Sequence, residues 1–297
     1  MAAAEKKHVK SVILFINMRK KNAEAAALEI SAELERRGIK ITYFAIENFP
    51  DTLPQGKWDV AFSLGGDGTV LYAARSLARN ETPILPLHLG TFGFIAGIEK
   101  DEWLSIYEQW LKGTARISRR CMLDIFVKRC GSVVYNNTCL NDAVISSTGI
   151  ASLIRLHARA EVSSGEFTEL GFYRSDGLII STPTGSTAYS MSAGGPILDP
   201  EMEAQILTPV CPFTLSNRPI VLHSRQILHI TVDEEQRSNV LLTIDGQDTF
   251  VLEAADEVAI NHSPHYAQLI TTGSSAYYSA LREKLGWSGV SRRGRRA

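Results

Sequence analysis

At 297 residues, 44% of them hydrophobic, the chain is long enough to bury one large core or two smaller ones, and two domains is the expectation. Its 31 basic and 32 acidic side chains leave a formal charge of −1, which excludes the broad positive field of a protein built to bind nucleic acid or an anionic membrane surface. No apolar run approaches the roughly 18 residues of a membrane span, no signal peptide is visible, and the four cysteines (Cys121, Cys130, Cys139, Cys211) form no C-x-x-C pair, so reduced, buried thiols in a cytoplasmic protein are expected.

Through the first 116 residues, short apolar runs alternate with helical spacing. "KSVILFIN" reads as a strand. "NAEAAALEISAELERRG" sets Ala27, Ile30 and Leu34 on one helical face and ends in Gly38, suited to the left-handed position after a helix. "IKITYFAI" and "DVAFSL" are strands, "TVLYAARSLAR" a helix, "PILPLHL" a strand, and "KDEWLSIYEQWLKG" a helix closed by Gly113. Strands that alternate with helices pair in parallel, because a parallel return needs a long crossover. An open α/β layered domain is therefore expected over residues 1–116.

From residue 117 to 272 the pattern turns to β. "MLDIFVKR", "SVVYNNTCL", "LIRLHARAEVS", "FTELGFY", "DGLIIST", "QILHITVD", "NVLLTID" and "TFVLEA" alternate and are rich in β-branched residues. They predict an all-β, sandwich-like domain. In residues 273–297, "SSAYYSALREKLGW" has helical spacing and is expected to return to the first domain, and the tail "SRRGRRA", with Arg292, Arg293, Arg295 and Arg296, reads as a solvated end.

Two stretches carry chemistry. "SLGGDGT" puts Gly65, Gly66 and Gly68 around Asp67, between a strand and a helix, at the carboxyl edge where open α/β sheets bind ligands. Bare backbone there lets a phosphate approach the unpaired N–H groups of a helix start, with Thr69 alongside, so these glycines and Thr69 are a candidate phosphate cradle. An acid among phosphates is repulsive unless it holds a cation or takes a proton from an attacking hydroxyl. The alternative is a tight turn in which Asp67 caps the helix. The spacing is neither G-x-x-x-x-G-K-[ST] nor G-x-G-x-x-G. The second stretch, "SDGLIISTPTGSTAYSMSAGGPILDP", gathers Thr182, Thr184, Ser186, Thr187, Tyr189, Ser190 and Ser192 beside flexible backbone, a surface able to hydrogen-bond ribose, phosphate and amide groups without adding charge. A polar loop with a Ser/Thr helix cap is the plain structural alternative. "LNDAVIS" places Asn141 and Asp142 at the start of a strand, and Asp245-Gly246 in "TIDGQDTFVL" reads as a type I′ hairpin turn. The seven histidines show no metal-ligand spacing.

Taken in order, "GGDGT", "LND", "SDGLIISTPTGSTAYSMSAGGP", "CPFTLSNRPIVL" and "DGQ" resemble the NAD kinase family over nearly the whole chain. "GGDGT" alone is shared with diacylglycerol and sphingosine kinases, so a lipid kinase is the nearest rival, and a dinucleotide sensor without turnover is a rival of another class. The resemblance implies an α/β domain, an all-β domain, a nucleotide site between them, ATP and NAD as substrates, a divalent ion such as Mg²⁺, and a homo-oligomer, dimer or tetramer, without nucleic-acid or membrane partners. It also implies Asp67 as general base on the adenosine-ribose 2′-hydroxyl of NAD, with Gly68 beside it. Asn141 and Asp142 then hold the dinucleotide, and Ser152, Arg174, Asp176, Thr184, Thr187, Ala188, Tyr189, Ser190, Met191, Ser192 and Gln247 line the same pocket. The chain departs from the family's habit at Asp142, where Glu is frequent, and in "HLGTFGFIA" at His88 and Phe92, while keeping Gly90, Gly93 and Phe94.

Overall fold

A computed structural model of the chain describes residues 7–49, 53–90, 93–149, 152–236, 238–273 and 275–286. Phe92 and the arginine-rich tail lie outside the described residues. The chain divides into two compact units, residues 1–119 together with 268–297, and residues 120–267.

The first unit begins with β1 (Ser11–Asn17), α1 (Ala23–Arg36), β2 (Lys40–Ile46), β3 (Val60–Gly65), α2 (Asp67–Leu77), β4 (Ile84–His88), β5 (Ile98–Glu99) and α3 (Trp103–Leu111). The strands run in the order β2-β1-β3-β4, all parallel, and β5 also pairs in parallel with β4. The physical reason is coverage. Every residue of β3 and the centre of β1 are buried, as expected of parallel strands with helices on their faces. Ala23, Ala27, Ile30 and Leu34 of α1 pack against Val12, Leu14, Phe62 and Leu64, and Trp103, Tyr107 and Trp110 of α3 complete the same core. Gly38 (φ +74°) and Gly113 (φ +70°) close the two helices in the left-handed region that their sequence positions suggested.

The second unit holds two sheets. Its elements are β6 (Arg116–Arg129), whose first residues belong to the first unit, β7 (Ser132–Cys139), β8 (Asp142–Ser147), β9 (Ile154–Ser163), β10 (Glu166–Ser175), β11 (Gly177–Ser181), α4 (Tyr189–Ser192), β12 (Ala204–Val210), β13 (Ile220–His223), β14 (Ile227–Val232), β15 (Val240–Ile244), β16 (Asp248–Leu252) and β17 (Glu257–Thr271). One sheet is antiparallel in the order β13-β12-β11-β8-β15-β16, and the other contains β10-β9-β14-β17 with β6 and β7 alongside. Ala143, Ile145, Leu178, Ile180, Leu242 and Ile244 from one sheet share a core with Leu156, Ala158, Leu228, Ile230, Val258 and Ile260 from the other. These are the alternate residues of their strands, so the unit is a sandwich closed by inward-facing side chains.

The end of β17 and α5 (Ser275–Leu285) belong to the first unit, where Leu269 pairs in parallel with Ile84 of β4. All four cysteines are free, but only Cys121 and Cys139 are buried. Cys130 and Cys211 are exposed, at turns with φ of +51° and +45°, which corrects the expectation of four buried thiols. Burial pushes the Cys121 thiol up to about 12.

Candidate active site

In the first unit the glycine turn joins β3 to α2, with Gly66 in the N-cap position and Asp67 as the first helical residue. The Asp67 side chain does not cap its own helix. Its carboxylate instead accepts three consecutive backbone N–H groups from the loop after β4: Phe94 on Oδ2 at 2.9 Å, and Ile95 and Ala96 on Oδ1 at 3.1 and 2.8 Å. A carboxylate offers about four lone-pair positions. Two are filled on Oδ1 and one on Oδ2, so Oδ2 keeps one acceptor position. Gly93 is a glycine for this contact, since a Cβ there would stand 1.9 Å from Asp67 Oδ1.

The four cradle positions differ in use. A Cβ on Gly65 would meet Thr69 Oγ1 at 2.2 Å, and Thr69 is itself buried, accepting from Asn17 Nδ2 at 3.2 Å. Both are committed to packing the turn on β1 and β3. Gly66, by contrast, has extended backbone and open space where a side chain would be. Gly68 follows Asp67 in the first turn of α2, partly exposed.

In the second unit, Asn141 and Asp142 sit where the chain enters β8, held from two sides. Asp245, in the turn between β15 and β16, accepts the backbone N–H groups of Leu140 (3.0 Å), Asn141 (2.7 Å) and Asp142 (3.2 Å). From the other side Thr182 donates its N–H to Asn141 O at 2.8 Å and its hydroxyl to Leu140 O at 2.6 Å. The turn itself has the two left-handed residues that its sequence predicted, Asp245 (φ +50°) and Gly246 (φ +66°), and Gln247 N–H closes it on Ile244 O at 2.9 Å. Two polar groups at this junction lack compensation. Asn141 Oδ1 is buried with no partner. The Asp142 carboxyl is buried, and burial, with the neighbouring charge of Asp245 adding to it, pushes its pKa up to about 7.

The hydroxyl-rich loop runs through a short 3-10 turn, residues 185–187, into α4. Most of its hydroxyls turn inward. Ser186 donates to Pro183 O (2.6 Å), Thr187 to Thr184 O (3.3 Å), Ser190 meets Thr208 Oγ1 (2.9 Å), and Thr184 Oγ1 accepts from the buried Arg120 (3.5 Å). Most of the loop's hydroxyls therefore shape it, because a buried hydroxyl must find a partner. What it presents outward is the Tyr189 ring, 48% exposed, with Ser192 exposed and Ala188 and Met191 partly so.

Gly185 ties this loop to Asn141, since a Cβ on it would fall 2.1 Å from the Asn141 carbonyl oxygen. That neighbour is backbone and cannot swing away. Gly185→Ala is expected to lower stability by about 1 to 3 kcal/mol through overpacking, read as a lower Tm. An unchanged Tm would mean that the loop relaxes freely there.

The remaining residues stand elsewhere. Arg174, near the end of β10, lies 4.9 Å over the Phe213 ring, and Asp176 sits between β10 and β11, donating its N–H to Val210 O at 3.0 Å. Ser152 stands beside Gly149, whose added Cβ would meet Ser152 Oγ at 2.9 Å. Asp176 and Thr182 flank the five residues of β11 at opposite ends, six residue steps that at roughly 3.4 Å per residue span about 20 Å. Within the unit, then, Asn141, Asp142, the 182–185 turn and the Asp245–Gln247 turn come together, while Arg174 and Asp176 do not join them. The segment 94–96, which holds the Asp67 carboxylate, was not among the expected site residues. Its partners are backbone N–H groups, and Gly93 was the one sequence signal for them.

Comparison with known proteins gives a consistent picture. Residues 4–115 match the family model described as ATP-NAD kinase N-terminal domain, and residues 140–272 match the ATP-NAD kinase C-terminal domain. The chain is 41% identical over 286 residues to the NAD kinase of Treponema denticola, covering 95% of this chain and 98% of that one. It is 37% identical over 288 residues to the NAD kinase of Geobacter sulfurreducens, covering 94% and 99%. Among solved structures it resembles yeast NADH kinase complexed with NADH, with a TM-score of 0.83 at 22% identity over 97% of this chain and 91% of that one. It also resembles an Archaeoglobus fulgidus NAD kinase in complex with ATP, with a TM-score of 0.70 at 21% identity, covering 93% and 98%.

Proposed function

The chain belongs to the NAD kinase family, enzymes that phosphorylate NAD, and from that premise we propose that it moves the γ-phosphoryl group of ATP to the 2′-hydroxyl of the adenosine ribose of NAD, giving NADP and ADP. The observation that carries the mechanism is the Asp67 carboxylate, fixed by three N–H groups with one acceptor position left on Oδ2. The ribose hydroxyl donates to that position. As its oxygen forms the new bond to the γ-phosphorus and the bond to ADP breaks, Asp67 takes the proton. Gly66, open and bare beside it, gives a phosphate room against the start of α2.

Asn141 and Asp142 hold the dinucleotide in this reading. An unpartnered buried amide oxygen and an uncompensated buried carboxyl are costly in the empty protein, and both are relieved by hydroxyl or amino donors of a bound nucleotide. Tyr189 offers a ring face, Thr184, the stretch from Thr187 to Ser192, and Gln247 add contacts beside it, and Ser152, Arg174 and Asp176, which stand apart from this cluster, are assigned to a different part of the extended dinucleotide. The counter-charge for the triphosphate is Mg²⁺ carried by the nucleotide, since Mg²⁺ is commonly held through substrate phosphates rather than by a protein cage. Among the described residues no group of three His, Cys, Asp or Glu side chains is placed to hold a metal ion. We place the enzyme in the cytoplasm as a homo-oligomer, on the family resemblance; no helix among the described residues is long and apolar enough to cross a membrane.

The test is direct. Purified protein with ATP, Mg²⁺ and NAD should form NADP, read by an NADP-specific dehydrogenase, and should not phosphorylate diacylglycerol or sphingosine. Folded protein that makes no NADP across donors and divalent metals would overturn the reading.

A further inference from the structure

The loop that holds Asp67 is fixed to the sheet at both ends. Where it leaves β4, Leu89 donates its N–H to Gly65 O at 2.9 Å, and where it returns, Ile98 of β5 pairs with Leu87. Between these anchors Gly93 N–H closes a turn on Ala96 O at 3.1 Å, which aims the next three N–H groups at the carboxylate. The turn also has a neighbour from the end of the chain's described residues. The ammonium group of Lys284, near the end of α5, stands 4.6 Å from the centre of the Phe94 ring. The segment leading to α5 is tied to the start of β4 by the Leu269 to Ile84 pairing and by Gln268, which donates to Glu81 Oε2 at 3.4 Å. Lys284 therefore reaches the loop from a segment anchored on the same strand from which the loop departs.

We propose that Lys284 is a positioning residue for phosphoryl transfer. Attracted to the face of the Phe94 ring, its ammonium keeps that residue, and with it the 94–96 N–H groups, seated on the Asp67 carboxylate, and so sets the base toward the acceptor hydroxyl. This rests on Asp67 acting as the base. Lys284 is exposed and makes no contact with the carboxylate itself, so it acts through Phe94. A cation over an aromatic face at an exposed site sustains an effect of about 2- to 5-fold. Because the contact bears on a group that works in the transition state, the loss falls on kcat and not on KM.

The experiment measures kcat and KM for NAD and ATP in the parent, Lys284→Met and Lys284→Arg, and repeats the pair in an Asp67→Asn background by transfer from labelled ATP. Lys284→Met, which keeps the apolar stem and removes the charge, should lower kcat about 2- to 5-fold with both KM values unchanged. Lys284→Arg should restore it, since a guanidinium also seats on an aromatic face. In Asp67→Asn the Met substitution should cost nothing further. Parent-like kinetics in Lys284→Met would overturn the proposal. A raised KM for ATP at constant kcat would overturn it in favour of a direct phosphate contact. An equal loss in both backgrounds would show that Lys284 acts other than through Asp67. Near-full turnover in Asp67→Asn alone would instead remove the base assignment, and this inference with it.

Discussion

Asp67→Asn is expected to lower turnover by about 10²- to 10⁴-fold, the usual contribution of a positioned base, with little change in KM for NAD. An amide has nearly the shape of the carboxylate but cannot accept a proton at neutral pH. The substitution also touches the loop. If the amide oxygen keeps Ile95 and Ala96, the amide nitrogen meets the Phe94 N–H, donor against donor, where Asp67 now accepts at 2.9 Å. A local shift of residues 93–95 follows, visible as a small fall in Tm. Single-turnover transfer reads the loss at the chemical step itself, with product release excluded. A loss below threefold would make Asp67 an anchor for the loop and no base.

Asp142→Asn is expected to make the empty protein more stable at pH 8 while weakening its hold on NAD. The folded carboxyl has its pKa raised to about 7 against an ordinary value of 3.8, by burial first and by Asp245 second. Between those two values the folded protein keeps a proton that the unfolded chain has released. Stability therefore falls as pH rises through that window, and the full cost, on the order of a few kcal/mol, is present above it. Asparagine carries no such cost. The Tm gap between variant and parent should be small near pH 4, widen up to about pH 7 and then level off. Its backbone N–H still donates to Asp245, so the junction keeps its anchor. For NAD the exchange of a charge-assisted for a neutral hydrogen bond should weaken binding roughly 5- to 10-fold. A Tm gap independent of pH would show that the charge of Asp142 is already compensated.

Wherever local periodicity and core burial agree, the fold was legible from the residues. "AEAAALEISAELER" buries the face its spacing marks, and the β-branched runs of the second half form the strands they suggest. The strands left unread carry a local contradiction. In β17 the polar run Asn261-His262-Ser263-Pro264 interrupts the pattern, and it falls between Ile260, which pairs with β14, and Leu269, which pairs with β4. In β12, Pro209 lies beyond residues 204–207, the only ones that pair with β13, so its missing N–H costs nothing on that side.

The site was legible in its acids and turns but less so in what holds them. Asp245 reads as a turn residue and is one, yet its carboxylate also holds backbone more than a hundred residues earlier, which no local pattern encodes. The Thr and Ser residues of the 182–190 stretch read as a surface for ligands, but burial turns several of their hydroxyls to nearby carbonyls. Side-chain composition shows which groups are available, and packing decides which remain available to a ligand.

Because the Asp67 carboxylate is held by main-chain N–H groups, the identities of Ile95 and Ala96 are uncoupled from the hold they provide. An engineer wishing to reshape this rim could exchange those side chains within the limits of the packing beneath them, and the carboxylate would keep its setting. Two kinds of change lie outside that freedom: any side chain at Gly93, and proline at positions 94 to 96, which alone deletes a donor. A saturation library across 93–96 should therefore show an uneven map: near-complete intolerance at 93, and at the buried positions 95 and 96 tolerance for apolar side chains of similar size, with proline excluded.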